Sequence, residues 1–415
     1  MSTMRVLLVG HAHAALSPGG AEYAAHDLFR GLAGAAGVAV SFAAAAQPPD
    51  VPPGGVTRFS SETEYLFDCT GFDRFTFSQR SQPVVGAFVR LLDELAPDIV
   101  HFHHYLNVGR ELIDAAKNAP SRPGVVLTLH DYLAICHNHG VMLPAPGAVR
   151  CLRAVDAVCA ACFPRVAPPM FASRRATLQA MLDGVDALLA PSNFLRNRYV
   201  DWGQPAGRIR VVENGIGPAN PPPPRPLAAG EGRARFAFFG QTHPFKGLHD
   251  LLQAFEHLAT EPPRAGGLGL TVHGAYLDQN APAYVARIRA MLARHPGLVR
   301  FAGPYARGEL RRLMAEIDWV VIPSIWWENA PLVIEEALAH RRPVICSGIG
   351  GMAERVRAGL DGLHAPVGDP AALAALLRYA ADDATLWDRL RGTMRRPVGI
   401  DAVVRAHLAL YRGLR

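Results

Sequence analysis

"GPANPPPPRPLAAGEGRAR", Gly217–Arg235, interrupts an otherwise regular alternation of apolar runs and amphipathic segments, and its position decides the fold. Before it, "RVLLVG" (Arg5–Gly10), "DIVHFHH" (Asp98–His104), "GVVLTLHD" (Gly124–Asp131), "ALLAPS" (Ala187–Ser192) and "IRVVENG" (Ile209–Gly215) read as buried parallel strands. The helical patterns between them include Ala21–Leu32, Val84–Leu95, Gly109–Asn118 and Phe194–Trp202, the last with Ser192 or Asn193 as its cap. After it the alternation resumes with "RFAFFG" (Arg235–Gly240), "LGLTVHG" (Leu268–Gly274), "VRFAG" (Val299–Gly303), "WVVIPS" (Trp319–Ser324), "PVICSG" (Pro343–Gly348) and "LHAPVG" (Leu363–Gly368). Strand–helix alternation implies a parallel sheet wound with helices on both faces. The chain therefore reads as two doubly wound α/β domains joined by a stiff Pro-rich spacer.

The expected boundaries are 1–217 for the first domain, with a Cys-rich insert at about 136–165, and 218–234 for the linker. Residues 235–395 form the second domain, and 396–415 a terminal helix packing back toward the first. Two domains also follow from the length, since 415 residues exceed what one core holds. Half the residues are apolar and 19% are charged, which excludes disorder. The net charge of +6 is dispersed over Arg in many segments, favouring acidic small molecules, phosphates or an anionic membrane surface. No dense basic block supports a nucleic-acid partner. The N-terminal apolar run is too short for a signal peptide and no long uninterrupted apolar stretch occurs, so the expected location is cytoplasmic, soluble or peripheral on the inner membrane face.

In such folds ligands sit beyond the carboxyl ends of the strands, and a cleft between domains is the expected reaction site. The dinucleotide fingerprint Gly-x-Gly-x-x-Gly is missing after the first strand, which argues against hydride transfer. Gly19-Gly20-Ala21-Glu22 instead opens the first helix, where paired glycines permit close approach of a ligand or simply make a turn. In "FFGQTHPFKGLHDLLQAF", Gly240 and Gln241 end a strand and Lys246-Gly247 opens a helix, a position suited to neutralising a diphosphate. In "SIWWENAPLVIEEAL" (Ser324–Leu338), a strand ends, Glu328-Asn329-Ala330 forms a loop, and Pro331 starts a helix. The amides of Ala330, Leu332 and Val333 are then unpaired helix-start donors that a phosphate can fill. Glu328 and Glu336 would be about 12 Å apart along a helix, too far to share one atom but able to hold two parts of an extended ligand. The plain alternative is a dipole-complementing Glu and a solvated one.

With these residues in place the chain resembles family 4 of the retaining glycosyltransferases. Glu328-(seven residues)-Glu336 matches the family's Glu-x7-Glu signature. "GGAE", "TLHD", "APSNFLRNRY", "VVENGI", "FFGQTHPFKG", "VRFAGPY" and Gly350-Gly351-x-x-Glu354 follow in the family's order over nearly the whole chain. The resemblance implies the GT-B fold, two Rossmann-like domains facing a cleft. It also implies transfer of a sugar from a nucleoside diphosphate sugar to an acceptor hydroxyl with anomeric retention, in bacterial exopolysaccharide, O-antigen or other glycoconjugate synthesis. It assigns Glu336 to ribose, Glu328 to the transferred sugar, Asn329, Ala330, Pro331 and Leu332 to sugar and diphosphate, and Lys246 to the leaving phosphates. His130 aligns with the family's active-site His, and Gly19, Gly20 and Gly240 fall at its donor loops. Many members carry Arg where this chain has Gln241, so one expected cation is missing. No catalytic cofactor and no second carboxylate nucleophile are implied, unlike the paired acids of retaining glycosidases. The acceptor is a glycan, a lipid-linked molecule or a small molecule. The alternatives are a GT-B-like sugar-nucleotide epimerase, which needs no acceptor, or a non-catalytic sugar-nucleotide-binding partner subunit.

Four of the six cysteines fall in one segment: Cys136, Cys151, Cys159 and Cys162. Cys159-x-x-Cys162 has metal-ligand spacing, and the Pro- and Ala-rich insert has little core, so a structural zinc is one reading. Reduced or redox-labile thiols are the second and an iron–sulfur centre the third. Cys69 and Cys346 read as isolated structural residues. Residues 138–149 are expected to be mobile, and Phe163 and Phe171 to be exposed aromatics suited to a lipid-linked acceptor at the inner membrane surface.

Overall fold

The computed structural model describes residues 3–144, 148–260 and 267–415. They form two compact units: Met1–Met142 with Cys151–Gly217 and Val398–Arg415, and Leu143–Arg150 with Pro218–Pro397.

The first unit contains strands β1 (Met4–Gly10), β2 (Val38–Ala46), β3 (Val56–Phe59), β4 (Ser61–Asp68), a small hairpin β5 (Phe72–Asp73) and β6 (Ser78–Gln79), then β7 (Ile99–His103), β8 (Gly124–Thr128), β9 (Ala187–Ala190) and β10 (Ile209–Val211). Eight of them make one sheet in the order β10-β9-β8-β7-β1-β2-β4-β3. It is parallel except for β3, which runs antiparallel to β4. Central β1 is covered on both faces, which explains its unbroken apolar run: Val6, Leu7, Leu8 and Val9 are all buried. The helix after β9 is capped by Ser192, whose Oγ accepts from the Leu195 amide at 3.2 Å. The terminal helix Ile400–Arg412 belongs to this unit, with Val403, Val404, Leu408 and Tyr411 in the core that also holds Met4, Leu28 and Leu32. The Ile400 amide donates to Ile216 O at 2.9 Å, and a Cβ at Gly31 would meet Val404 Cγ2 at 2.6 Å, so only glycine admits this helix so closely.

In the second unit β11 (Arg235–Gln241), β12 (Gly269–Ala275), β13 (Val299–Phe301), β14 (Trp319–Ile322), β15 (Val344–Ser347) and β16 (Gly362–Ala365) form a parallel sheet in the order β13-β12-β11-β14-β15-β16. Successive strand residues face opposite sides. Phe236, Phe238 and Val321 join one core with Phe255 and Trp387, while Ala237, Phe239, Val320 and Ile322 join another with Ile334 and Leu338.

Several expectations need correction. The Pro-rich segment does not stand off as a free spacer. Arg225 bonds buried Asp318 at 3.0 Å and Glu231 at 2.7 Å, and Arg342 Nη2 donates to Pro223 O at 2.9 Å, so charge pairing lays the segment against the second unit. That unit runs to Pro397 and also takes in Leu143–Arg150, a stretch that the sequence places in the first domain. Within the stretch expected to be mobile, Val141, Met142 and Leu143 are buried; Ala145–Gly147 lie outside the described residues. Phe171 is buried, its ring 5.5 Å from Phe75, and Phe163 is half-buried with its ring 4.8 Å from His137. Both are packing residues rather than surface aromatics. Strands β2 to β6 are additions to the sequence reading: "VAVSFAAAA" owes its strand state to burial between β1 and β4 rather than to β-branched content.

Candidate functional site

Strand β11 ends at Gly240, with φ +138, and Gln241; the space a Cβ at Gly240 would enter is open. A short turn, Pro244–Lys246, then leads into Gly247, with φ +71. A Cβ on Gly247 would meet Pro323 O at 2.0 Å, so glycine is required for the turn to press against the end of β14. The Ile325 amide donates to Phe245 O at 2.9 Å and fastens the two loops together. Lys246 Nζ thereby lies 2.7 Å from Glu328 Oε1. The same oxygen accepts from Ser324 Oγ at 2.8 Å and Trp326 Nε1 at 2.9 Å, and Lys246 Nζ sits 5.2 Å from the centre of the Trp326 ring. Glu328 is 5% exposed, so this carboxylate is fixed by three donors before any ligand arrives.

The loop after Glu328 is held from behind by Gly350-Gly351. The Gly351 amide donates to Glu328 O at 2.8 Å, and a Cβ on Gly351 would stand 1.5 Å from Asn329 O. Helix Leu332–Ala339 follows with Pro331 as its cap. Its two acids have different surroundings. Glu335 is 1% exposed and takes Arg355 Nε at 2.7 Å, with Arg395 at 3.5 Å. Glu336 is 8% exposed, its carboxylate 3.3 Å from Nε of the more open Arg307. Arg150 stacks over Trp327 at 5.2 Å and its Nη1 lies 3.4 Å from Ile325 O.

In the first unit His130 follows β8, with its Nε2 3.2 Å from His103 Nδ1. Burial, with His104 and His11 nearby, pushes His130 down to about 3, so its imidazole is neutral at any physiological pH. Around it lie two further strand-end histidines, which the sequence suits to substrate contact or packing, each with an acidic partner. His104 Nε2 is 2.8 Å from Asp131 Oδ2 and His11 Nε2 is 3.0 Å from Glu22 Oε1. Against the effect of burial, the hydrogen bond and charge of Glu22 raise His11, and His104 holds the buried Asp131 below the usual carboxylate range. Gly19 caps the helix that carries Glu22, and a Cβ there would meet Glu22 Oε2 at 2.4 Å. The "GGAE" and "TLHD" motifs each contain one of these acids, which is the signal the sequence offers.

His13, His26 and Glu64 bring three ligand-type atoms within 4.8 Å of one another. The Ala15 amide donates to His13 Nδ1 at 3.1 Å, which leaves Nε2 carrying the proton that faces Glu64 Oε2 at 2.9 Å. A metal-bound Nε2 needs the opposite tautomer, so this is a hydrogen-bonded triad rather than a metal centre.

Two family models match consecutive stretches: Glycosyltransferase Family 4 over residues 18–220, and Glycosyl transferases group 1 over residues 233–383. The chain belongs to the family 4 type of glycosyltransferase. The gap between the two matches falls in the Pro-rich segment. Among curated proteins, glycogen synthase of Mycobacterium tuberculosis is 30% identical over 242 residues, 55% of this glycosyltransferase and 56% of that protein. D-inositol 3-phosphate glycosyltransferase of Jonesia denitrificans is 32% identical over 164 residues, 38% of this chain and 37% of the other. The chain thus spans about half or less of these relatives' length. Among solved structures, sucrose-phosphate synthase from Thermosynechococcus elongatus superposes with a TM-score of 0.73 at 20% identity, covering 99% of each chain. Anabaena HepE in complex with UDP and glucose gives 0.66 at 17%, covering 99% of this chain and 100% of that one. At these identities the likeness speaks for the fold, which is GT-B with two Rossmann-like domains.

Proposed function

We propose that this glycosyltransferase moves a sugar from a nucleoside diphosphate sugar to an acceptor hydroxyl and retains the anomeric configuration. The observation that carries the reading is the buried Glu328, fixed by Ser324, Trp326 and Lys246 beside the start of the helix that bears Glu336. In this reading Lys246 moves from Glu328 to the leaving diphosphate, supplying a preorganised cation where negative charge grows. Glu328, released from that pair but still held by Ser324 and Trp326, accepts hydrogen bonds from hydroxyls of the transferred sugar. Glu336 takes the ribose hydroxyls, while Asn329, Ala330, Pro331 and Leu332, with Gly240 and Gln241 opposite, contact sugar and diphosphate. Gly19 and Gly20 let the donor phosphates approach the first helix. His130, being neutral, serves the reaction as a hydrogen-bonding group and not as a proton store. The leaving phosphate itself deprotonates the acceptor, so no enzymatic nucleophile or catalytic cofactor is invoked. HepE, which shares the fold, has been crystallised in complex with UDP and glucose, and this supports a nucleotide-sugar donor. The acceptor is a glycan, lipid-linked molecule or small molecule in bacterial glycoconjugate synthesis.

The test is incubation with a panel of nucleotide sugars and candidate acceptors, following nucleotide release and product configuration by NMR. Acceptor-dependent release with an axial-to-axial or equatorial-to-equatorial outcome supports the proposal. Acceptor-independent interconversion of the sugar would instead identify an epimerase, and binding without turnover a partner subunit. A second reading adds peripheral contact with the inner membrane surface. It is favoured by the exposed Val149, Leu152, Val158 and Met170, and the described residues contain no helix long and apolar enough to cross a membrane. Sedimentation with anionic vesicles that weakens on changing Leu152 and Val158 to Ser would support it; equal sedimentation would refute it.

A further inference from the structure

We propose that the second unit carries, apart from the donor loops, a binding site for a small hydroxylated phosphate monoester, built from Thr271, His273 and Arg300 on the sheet face of β12 and β13. Strand register brings these side chains together. Ala237 of β11 pairs with Thr271 and Phe239 with His273, and Thr271 pairs in turn with Arg300 of β13. All three therefore point to the sheet face that carries Ala237 and Phe239. Neighbouring strands lie about 4.8 Å apart and every second residue of a strand about 6.6 Å on, so one small molecule can reach the three.

That face is covered over β11 and β14, where Leu310, Leu313 and Met314 of helix Leu310–Ala315 pack with Ala237, Phe239 and Val320. Over β12 and β13 it opens into a cavity of about 350 Å³, whose walls include Arg235, Thr271, His273, Arg300, Glu316 and Ile317. The volume suits a small organic molecule. Gly240, Lys246, Glu328 and Glu336 are not among its walls, so the cavity is distinct from the donor loops.

His273 supplies the independent observation. It is 5% exposed, and its ring is held by stacking on Phe239 at 4.8 Å and by the edge of Tyr305 at 5.9 Å. Among the described residues no group hydrogen-bonds its ring nitrogens, although buried polar side chains nearly always have partners. Burial, with Arg300 nearby, holds the imidazole below its usual range, so at neutral pH it offers one donor and one acceptor. Among the described residues Thr271 Oγ1 has no hydrogen-bond partner either, and no carboxylate pairs with Arg300.

Charge decides the class of ligand. Two guanidiniums, Arg235 and Arg300, line the cavity, and the acid on its wall, Glu316, is engaged by Arg312 at 2.8 Å. Arg235 stands at the long distance of 3.6 Å from Glu231. The excess positive charge calls for a doubly charged group able to accept forked hydrogen bonds, which a phosphate monoester is at neutral pH and a single carboxylate is not. Thr271 and His273 then supply directed hydrogen bonds to the ester's hydroxyls, and Ile317 an apolar contact for its carbon frame.

The test is calorimetric titration of the full chain with glycerol phosphate and ribose phosphate, against inorganic phosphate, glycerol and ribose. At least one ester should bind more tightly than inorganic phosphate, and the neutral polyols should not bind. Arg300→Gln alters an exposed side chain and should keep the fold, yet weaken ester binding by about tenfold or more. His273→Phe keeps a stacking ring, removes both nitrogens and should weaken binding as well. Lys246→Ala should bind the ester as wild type does, which separates this cavity from the donor loops whatever nucleotide they take. No ester binding at millimolar concentration, equal affinity for inorganic phosphate, unchanged affinity in Arg300→Gln, or binding lost in Lys246→Ala would each overturn the proposal.

Discussion

Gly351→Ala tests the geometry of the donor loop without touching a charged group. The added Cβ would lie 1.5 Å from Asn329 O and 2.8 Å from Glu328 O, against an ordinary contact of at least 3.4 Å. The loop must therefore retreat by roughly 2 Å, or the helix Gly350–Arg355 must shift, and either movement breaks the Gly351 amide bond to Glu328 O. Overpacking of this kind costs about 1–3 kcal/mol of stability. A shift of the positioning loop by even about 1 Å is expected to lower turnover by about 100-fold. Thermal unfolding and steady-state kinetics with the preferred nucleotide sugar measure the two effects. The expected outcome is a folded protein of lower Tm whose kcat/KM falls far more than its stability suggests. Activity within twofold of wild type would refute the view that this contact sets the loop.

Glu335→Gln should destabilise the protein by about 3–5 kcal/mol by stranding buried Arg355, while Glu336→Gln, whose partner Arg307 is more open to solvent, should cost clearly less and weaken nucleotide binding; denaturant titration and calorimetry separate the two. Acid should unfold the first unit early. His101 and His103 are held well below 6.5, His130 at about 3 and His407 at about 4, each chiefly by burial. Groups with depressed folded values stabilise above the unfolded value near 6.5 and lose that contribution as pH falls toward 3–4. His11, which is raised, opposes this. The denaturation midpoint should therefore drop between pH 7.5 and 5, and a flat profile would contradict the assignment. Ser192→Ala removes a helix cap and should cost about 1 kcal/mol, read from the urea midpoint.

Much of this architecture was legible because it follows from short-range rules. Buried parallel strands read as unbroken apolar runs, and the helices expected at Val84–Leu95 and Phe194–Trp202 begin within two residues of the expected place. The Gly240, Lys246 and Glu328–Glu336 stretches stood out because they lie at strand ends and helix starts, and the structure brings Lys246 and Glu328 together. What stayed hidden depends on distant partners. Nothing near Glu335 in sequence announces Arg355 beneath it, and nothing in "GPANPPPPRP" announces that Arg225 will find Asp318. The Ala-rich β2 is poor in β-branched residues and becomes a strand through its neighbours, and Phe171 is buried by Phe75 nearly a hundred positions away.

The central claim is that Lys246, Glu328 and Glu336 form a nucleoside diphosphate site. Calorimetric titration of wild type, Lys246→Ala and Glu336→Gln with UDP, GDP and ADP tests it most directly. The account predicts tight binding of one nucleotide to wild type, with a loss of tenfold or more in each variant while both keep the wild-type fold by circular dichroism. Unchanged affinity in both variants would contradict it.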